Sequence, residues 1–263
     1  MGLIKRGKMK ISCLSSGSSG NCFYVSNKNS AVLIDCGISS KKVEERLFAI
    51  KQNPEKIKGI LVTHEHGDHT KGVDVFARKF NIPIFATKGT IQNSFLCSDK
   101  ELICPIRNNE TLEIGKMEIE AFSKAHDCED PISFKIKNGK TLSIITDIGH
   151  SCKNVIDAVS DSDFLVIEAN HDIDMLKNGK YPWFLKNRIL GENGHLSNYD
   201  SGLCVMEHGK RKLKNVVLAH LSENNNTSLA ALSTFSGLIR ERQDLRPKLS
   251  LSLKTRATLL FSV

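Results

Sequence analysis

Three histidines and an aspartate occur within six consecutive positions, residues 64–69, in the order H-x-H-x-D-H. This motif follows an apolar run, residues 57–62, that predicts a buried strand. It precedes residues 70–80, where apolar side chains recur at helical spacing. We therefore place the motif on a loop that leaves the carboxyl end of a strand and enters a helix.

The spacing within the motif favours metal binding. On an extended loop, residues two positions apart point to the same side, so His64 and His66 can bind one ion. Asp68 and His69 lie beyond the bend and can face a second ion. The alternative is a polar loop whose histidines only form hydrogen bonds, but four such residues at this spacing are typical of metal sites.

Further ligand-type residues, His126, Asp147 and His220, each follow an apolar strand pattern. The carboxylate of Asp147 emerges from a fully apolar strand, where it is costly unless it meets a cation or lies in a surface turn. The sequence thus predicts two metal sites bridged by Asp147. One would contain His64, His66 and His126, and the other would contain Asp68, His69 and His220.

Two polar segments near the amino terminus fit either a structural or a functional interpretation. Residues 15–21 are mostly serine and glycine and lie between two predicted strands. They can form a flexible hairpin turn, or a loop whose hydroxyl and N–H groups meet phosphate. Asp35 follows a third strand, where it either caps a turn or orients a metal-ligating histidine from behind.

The composition argues against a membrane-spanning chain and mildly favours a polyanionic partner. No apolar run approaches the ~20 residues that a bilayer requires, and residues 1–8 lack the pattern of a secretion signal. The net charge is +8, and residues 175–189 combine Lys and Arg with aromatic side chains. This stretch is typical of a nucleic-acid-binding edge, although a solvated helix pair fits the same pattern.

The eight cysteines include no C-x-x-C pair, and several lie in apolar strands. We therefore expect buried free thiols in a reducing cytoplasm, with neither a disulfide framework nor a zinc site built from cysteines. Strand and helix patterns alternate without a linker. This predicts a single domain over residues 10–263, after an N-terminal extension at residues 1–9.

Together these motifs resemble the metallo-β-lactamase superfamily over nearly the whole chain, and within it the YycJ/WalJ-type hydrolases. The resemblance implies an α/β fold, a four-layer αβ/βα sandwich with a dinuclear metal site at one edge. It also implies a 5′→3′ exonuclease acting on double-stranded DNA. The residues that carry it are 14–21, 33–35, 63–69, His126-Asp127 with Asp130-Pro131, 146–149, 168–172, 194–198, and His220-Leu221-Ser222 with Asn224-Asn225.

Residues 194–220 are also similar to the tRNase Z arrangement, in which a histidine precedes the last metal ligand by one helix and one strand. This likeness implies that His195 contacts the scissile phosphate or protonates the leaving oxygen, unless it is a capping or buried histidine. Asp68 and His195 are thus the predicted catalytic residues. The expected substrate contacts are Ser15, Ser16, Ser18, Asn21, His171 and Ser197, of which His171 could instead lock a loop.

We expect a metal-dependent phosphodiesterase, specifically a DNA exonuclease, with two divalent ions of zinc, manganese or iron. The alternatives on the same scaffold are an RNA-processing enzyme, a small-molecule phosphodiesterase, and a thioester or lactone hydrolase. A non-catalytic regulatory protein that kept the metal site is a further alternative. The expected partner is double-stranded DNA, and no membrane is expected.

Overall fold

The structure, a computed structural model, describes residues 8–263 and contains two seven-stranded sheets. The strands of the first sheet are β1 (Lys10–Ser15), β2 (Cys22–Ser26), β3 (Ala31–Ile34), β4 (Ile57–Leu61), β5 (Ile84–Thr87), β6 (Ile103–Ile106) and β14 (Phe261–Ser262). Those of the second sheet are β7 (Thr111–Ile114), β8 (Met117–Ser123), β9 (Ile132–Lys137), β10 (Thr141–Ile145), β11 (Phe164–Glu168), β12 (Asn215–Ala219) and β13 (Lys248–Leu251).

Helices connect many of these strands. They are α1 (Ser40–Ala49), α2 (Gly67–Thr70), α3 (Val73–Phe80), α4 (Lys88–Asn93), α5 (Lys153–Asp161), α6 (Ile173–Asn178), α7 (Trp183–Leu190), α8 (Asn198–His208) and α9 (Ser228–Arg240). Short 3-10 turns precede β4 and β6, at Pro54–Lys56 and Lys100–Leu102.

Each sheet is half antiparallel and half parallel. In the first sheet the order is β14-β1-β2-β3-β4-β5-β6, and pairing changes from antiparallel to parallel at β3. In the second the order is β13-β12-β11-β10-β9-β8-β7, and pairing changes from parallel to antiparallel at β10. Adjacent parallel strands require crossovers, and here helices run over the outer faces of the sheets to supply most of them.

Three hydrophobic clusters fill the spaces between the layers. The cluster between the sheets includes Phe23 and Ile34 from the first sheet and Phe134 and Val166 from the second. A second cluster packs the outer face of the first sheet against α1 and α3, and a third packs the second sheet against α5, α8 and α9. The layer order is therefore helix, sheet, sheet, helix, which confirms the predicted four-layer αβ/βα sandwich.

The helix predicted over residues 70–80 is broken into two in the structure. Gly72 lies between α2 and α3, and a Cβ atom there would come within 2.0 Å of the carbonyl oxygen of Ile38. This close backbone approach turns the chain between the two helices. The loop expected to carry the whole motif ends at His66. Asp68 and His69 lie instead in the short helix α2.

The predicted domain boundaries stay a prediction. Residues 1–7 of the expected extension lie outside the described residues, whereas Met9 is 1% exposed and packs in the core between the sheets. Within residues 8–263, no helix combines the length and the apolar character that crossing a membrane would require.

Candidate metal centre

Five strands deliver ligand-type side chains to one edge of the sandwich. In the first sheet, Asp35 directly follows β3, and residues 64–69 begin three positions after β4. In the second sheet, His126, Asp147 and His220 follow β8, β10 and β12 by one to three residues. The seven predicted metal ligands come together at this edge, so each sheet supplies part of the site.

The first ligand group contains His64, His66 and His126, joined by Cys128. One potential ligand atom from each of these four residues lies within 4.8 Å of those of the other three. Nε2 of His64 is 3.2 Å from Nδ1 of His66, and the His126 ring lies 5.0 Å from the His64 ring between centroids.

The second ligand group contains Asp68, His69 and His220. Nε2 of His69 is 3.3 Å from Oδ2 of Asp68, and Nε2 of His220 is 3.8 Å from the same oxygen. Asp147 lies between the two groups. Its Oδ2 is 3.2 Å from Nε2 of His69, and its Oδ1 is 3.9 Å from Nε2 of His126.

Buried polar atoms at this position fit a bound cation. Nε2 of His126, Nε2 of His220 and Oδ2 of Asp147 are buried and have no hydrogen-bond partner among the described residues. Such atoms are costly unless something satisfies them, and all three face other ligand-type atoms. The donor set of imidazole and carboxylate suits a divalent metal ion.

Asp35 holds one of the ligand imidazoles from behind. Its carboxylate is 2.8 Å from Nδ1 of His69 and accepts hydrogen bonds from the backbone N–H and hydroxyl of Thr63. This fixes the His69 ring with Nε2 directed at the second ligand group.

Glu168, at the end of a strand of the second sheet, holds histidine rings of the site in the same way as Asp35. Its Oε1 is 2.8 Å from Nδ1 of His220 and 2.9 Å from Nδ1 of His195. Its Oε2 accepts hydrogen bonds from the N–H groups of Ile148 and Leu196. The sequence could have indicated this role, because Glu168 places a carboxylate at the end of an apolar strand, just as Asp147 does.

The comparisons with known proteins agree with this geometry. Residues 16–101 match the family model of the metallo-beta-lactamase superfamily. The chain is 35% identical to the Exodeoxyribonuclease YycJ of Bacillus anthracis over 242 residues, which cover 89% of this chain and 90% of that protein. It is 37% identical to the Exodeoxyribonuclease WalJ of Streptococcus pneumoniae over 226 residues, which cover 82% and 83%.

The chain belongs to the YycJ/WalJ family of the metallo-β-lactamase superfamily. Solved structures show the same fold at low sequence identity. The metallo-beta-lactamase fold protein YhfI from Bacillus subtilis has a TM-score of 0.72 at 14% identity and covers 96% of this chain and 99% of its own. The short form of human tRNase Z has a TM-score of 0.63 at 15% identity, with coverage of 95% and 98%.

The two halves of this YycJ/WalJ-family site differ electrostatically. Burial alone would lower the pKa of His220, but the nearby carboxylates of Asp147, Asp68 and Glu168 outweigh burial and raise the pKa to about 10. Burial lowers the pKa of His126 to about 4. His126 is therefore neutral at pH 7, as ligation requires, whereas His220 must release a proton when a metal binds.

Several of these residues adopt a strained backbone. Asp35, Asp147 and His220 have φ angles of 58°, 57° and 55°, in the left-handed region that non-glycine residues seldom occupy. Each of them comes just after a strand. Asp147 and His220 place their side chains among the ligand groups, and Asp35 places its carboxylate behind His69. Strain of this kind persists where the surrounding structure imposes it, as it does at many functional sites.

An open cleft with a volume of about 290 Å³ lies over the ligand groups. It is lined by His66, Asp68, Asp147 and His220 of the metal centre, and by His195 and Ser18 from the predicted contacts. Another wall is formed by Tyr181 and by three residues of α7: Leu185, Arg188 and Ile189. The metal centre thus opens to the surface beside the basic stretch 175–189.

Five of the six predicted substrate contacts do not line this cleft. Ser15, Ser16, Asn21, His171 and Ser197 are each at most 4% exposed. Ser16 accepts a hydrogen bond from the backbone N–H of His220, and Asn21 donates one to Asp68. Ser197 caps α8 by accepting a hydrogen bond from the N–H of Asp200. The structure therefore places most of these residues behind the ligands.

Proposed function

We propose that this chain is a metal-dependent exonuclease that degrades double-stranded DNA from the 5′ end. The observation that carries the proposal is a pair of ligand groups with Asp147 between them, in the same cleft as His195. The relatives named exodeoxyribonucleases support it, since they align with more than four fifths of the chain.

We assign His64, His66 and His126 to one divalent ion, and Asp68, His69 and His220 to another, with Asp147 contacting both. Zinc, manganese and iron all suit this donor set. Two such ions, when bound, supply Lewis acidity at the phosphate and a nucleophile from water at neutral pH. Asp35 and Glu168 serve this function indirectly, because they hold His69 and His220 through Nδ1 and so leave Nε2 for the ion.

His195 is the candidate general acid. Glu168 accepts a hydrogen bond from its Nδ1, so the atom that exchanges a proton with substrate is Nε2. We propose that Nε2 donates to the 3′-oxygen that leaves when the phosphodiester bond breaks. The contact with Glu168, at 2.9 Å from Nδ1, fixes the orientation of the His195 ring for this step.

The α6–α7 segment, residues 173–190, is the candidate DNA-binding surface. It carries Lys177, Lys180, Lys186 and Arg188, and Arg188 lines the cleft, where its Nε donates to Asp127 at 2.6 Å. Basic side chains at the edge of the cleft would contact the phosphates of a duplex whose terminal nucleotide enters it.

We further propose that the protein works in a reducing cytoplasm. All eight cysteines lie in the described part of the chain and carry free thiols, which is the usual state of cytoplasmic proteins.

The test is digestion of a linear duplex labelled at either the 5′ or the 3′ end, with Mn²⁺ or Zn²⁺ added. We expect stepwise release of nucleotides from the 5′ end, and no release by an Asp68→Ala variant. Asp157→Ala is the matched control, since Asp157 is exposed on α5 and forms an ion pair with Lys153 of the same helix.

Two results would argue against the proposal. Absence of any release by protein shown to hold two ions per chain would exclude the duplex exonuclease. Faster cleavage of structured RNA than of the duplex, with the same dependence on Asp68, would replace DNA by RNA as the substrate.

A further inference from the structure

Helix α7 carries an apolar face that is open to solvent. Five of its eight residues are apolar, yet none of the eight is buried against the rest of the described chain. Three of the apolar residues, Trp183, Phe184 and Leu190, are exposed, and we call them the outer face of α7. Side chains of this size are usually buried, and a group of exposed ones marks a binding surface. The outer face is therefore a candidate binding surface.

The outer face is distinct from the wall that α7 contributes to the cleft. Because an α-helix has 3.6 residues per turn, Trp183 and Leu190 share one side of α7, and Leu185 and Ile189 share another. Leu185 and Ile189 line the cleft and are only partly exposed. Phe184 lies between the two sides and is exposed. A ligand bound to the outer face would therefore lie outside the cleft in which we place the chemical step.

The charges beside the outer face favour one kind of ligand. Residues 173–190 contain one acid, Asp174, and four basic side chains, Lys177, Lys180, Lys186 and Arg188. Two copies of the chain packed through α7 would bring these like charges together, which opposes a dimer. A nucleic acid supplies negative charge together with bases that stack on aromatic rings. Since paired bases are stacked inside a duplex, the form that offers its bases freely is a single strand.

We propose that the outer face of α7 binds the single strand that remains after the 5′ strand has been digested. The inference rests on the proposed function, because removal of nucleotides from a 5′ end leaves the complementary strand as an unpaired 3′ tail. Its bases stack on Trp183 and Phe184, and the basic side chains of residues 173–190 contact its phosphates. A tail bound outside the cleft holds the shortened duplex near the metal centre between successive cleavages.

Binding of two tailed duplexes to Asp68→Ala protein tests the inference, since this variant should leave the DNA intact. Both duplexes carry a 3′ tail of about ten nucleotides, made of thymidines in one and of abasic residues in the other. The abasic tail keeps the phosphates but lacks the bases. We expect the thymidine tail to bind about tenfold more tightly. Adding Trp183→Ala and Phe184→Ala to the protein should bring this ratio close to one.

Two further variants separate base stacking from other effects. Phe48→Ala is the matched control, because Phe48 is an exposed aromatic residue near the end of α1 that leads to the start of β4, opposite the metal centre. It should keep the tenfold ratio. Lys180→Ala should weaken the binding of both tailed duplexes by a similar factor, because it removes a phosphate contact and no stacking surface. The ratio should then stay unchanged while both affinities fall.

Equal affinity for the two tailed duplexes, or a preference that survives loss of both aromatic rings, would overturn the inference. A protein that sediments as a dimer and becomes a monomer on Trp183→Ala would also overturn it, since a second copy then covers the outer face. Digestion of a blunt duplex by the native protein distinguishes these results from failure of the proposed function. Release of nucleotides without a preference for the thymidine tail removes the inference alone, whereas no release removes both.

Discussion

Asp147 places its carboxylate between the two ligand groups from a backbone conformation that glycine would adopt with less strain. At its φ of 57°, every side chain with a Cβ atom is strained. We predict that metal-free Asp147→Gly is more stable than Asp147→Ala by about 1 kcal/mol, since both lack the carboxylate and only alanine keeps the strain. Denaturant unfolding of the two variants measures the difference.

The control pair is Asp157→Gly and Asp157→Ala. Asp157 lies within α5, where alanine should be the more stable by about 1 kcal/mol because glycine is unfavourable in a helix. If Asp147→Ala is also more stable than Asp147→Gly, the backbone at position 147 is not strained.

Loss of His195 should slow the chemical step without changing the number of bound metal ions. We predict that His195→Ala lowers kcat by about 10²–10⁴-fold, because the leaving oxygen loses its proton donor. KM and the number of bound ions should change little. Single-turnover kinetics with metal analysis measures both.

His150→Ala is the matched control, since its ring lies outside the ligand groups and contacts the carbonyl oxygen of Glu192. A His195→Ala protein with normal kcat, or one that has lost an ion, would remove His195 from the proton-transfer role.

The clustering of these ligand-type residues could be predicted from sequence, because their types and their places after apolar strands are both visible locally. Asp35 and Asp147 were found in this way, and Glu168 carries the same signal. The substrate contacts could not be predicted so well. A serine-rich stretch such as 15–21 indicates a polar loop but not which side faces solvent, and packing turns Ser16 and Asn21 inward.

The helix α7 presents two aromatic side chains to solvent beside the cleft. Trp183 is 78% exposed and Phe184 is 69% exposed, while Leu185, Arg188 and Ile189 line the cleft. Trp183 is the only tryptophan of the chain, so its fluorescence reports on this helix alone. We predict that a blunt duplex quenches this fluorescence in Asp68→Ala protein, because bases or phosphates approach the indole ring.

Lys180→Ala should weaken this quenching and reduce by about one the slope of log affinity against log salt concentration. Lys58→Ala is the control, because Lys58 is exposed near the start of β4, at the opposite end of that strand from the metal centre. Equal effects of the two substitutions, or no quenching at all, would show that α7 is not part of the DNA-binding surface.

Strand and helix positions followed closely from periodicity, but contacts between distant segments did not. The strand predicted at residues 57–62 matches β4, Ile57–Leu61. The break at Gly72 was missed, because it arises from a backbone contact with Ile38 that no local pattern contains. The placement of β13 and β14 in different sheets is likewise not visible locally, because it depends on pairing with distant strands.

The proposed metal centre joins the two halves of the molecule, since residues 64–69 follow β4 of the first sheet and His126, Asp147 and His220 follow strands of the second. Removal of the metals should therefore make stability depend on pH. The pKa of His220 is about 10 in the folded metal-free protein and about 6.5 when unfolded. The protonated ring stabilises the fold fully below pH 6.5, and this contribution is lost as the pH rises to 10.

We predict that the free energy of unfolding of the chelated protein falls between pH 6.5 and pH 10. His69 adds to the effect, because its pKa is also raised: burial lowers it, but the charges of Asp147 and Asp35 outweigh burial. Urea unfolding across this range measures it. The metal-loaded protein should lack this decline, and a flat profile for the chelated protein would contradict the prediction.

The last two strands cover one edge of each sheet. β14 pairs with β1, and β13 pairs with β12, so without the tail both β1 and β12 would expose a row of unpaired N–H and C=O groups. Every residue of the metal centre precedes β13 in the chain. A nascent or truncated chain that stops before residue 248 thus holds a complete set of ligands, yet offers two open edges for strand addition by neighbouring molecules, and its hazard is aggregation more than inactivity.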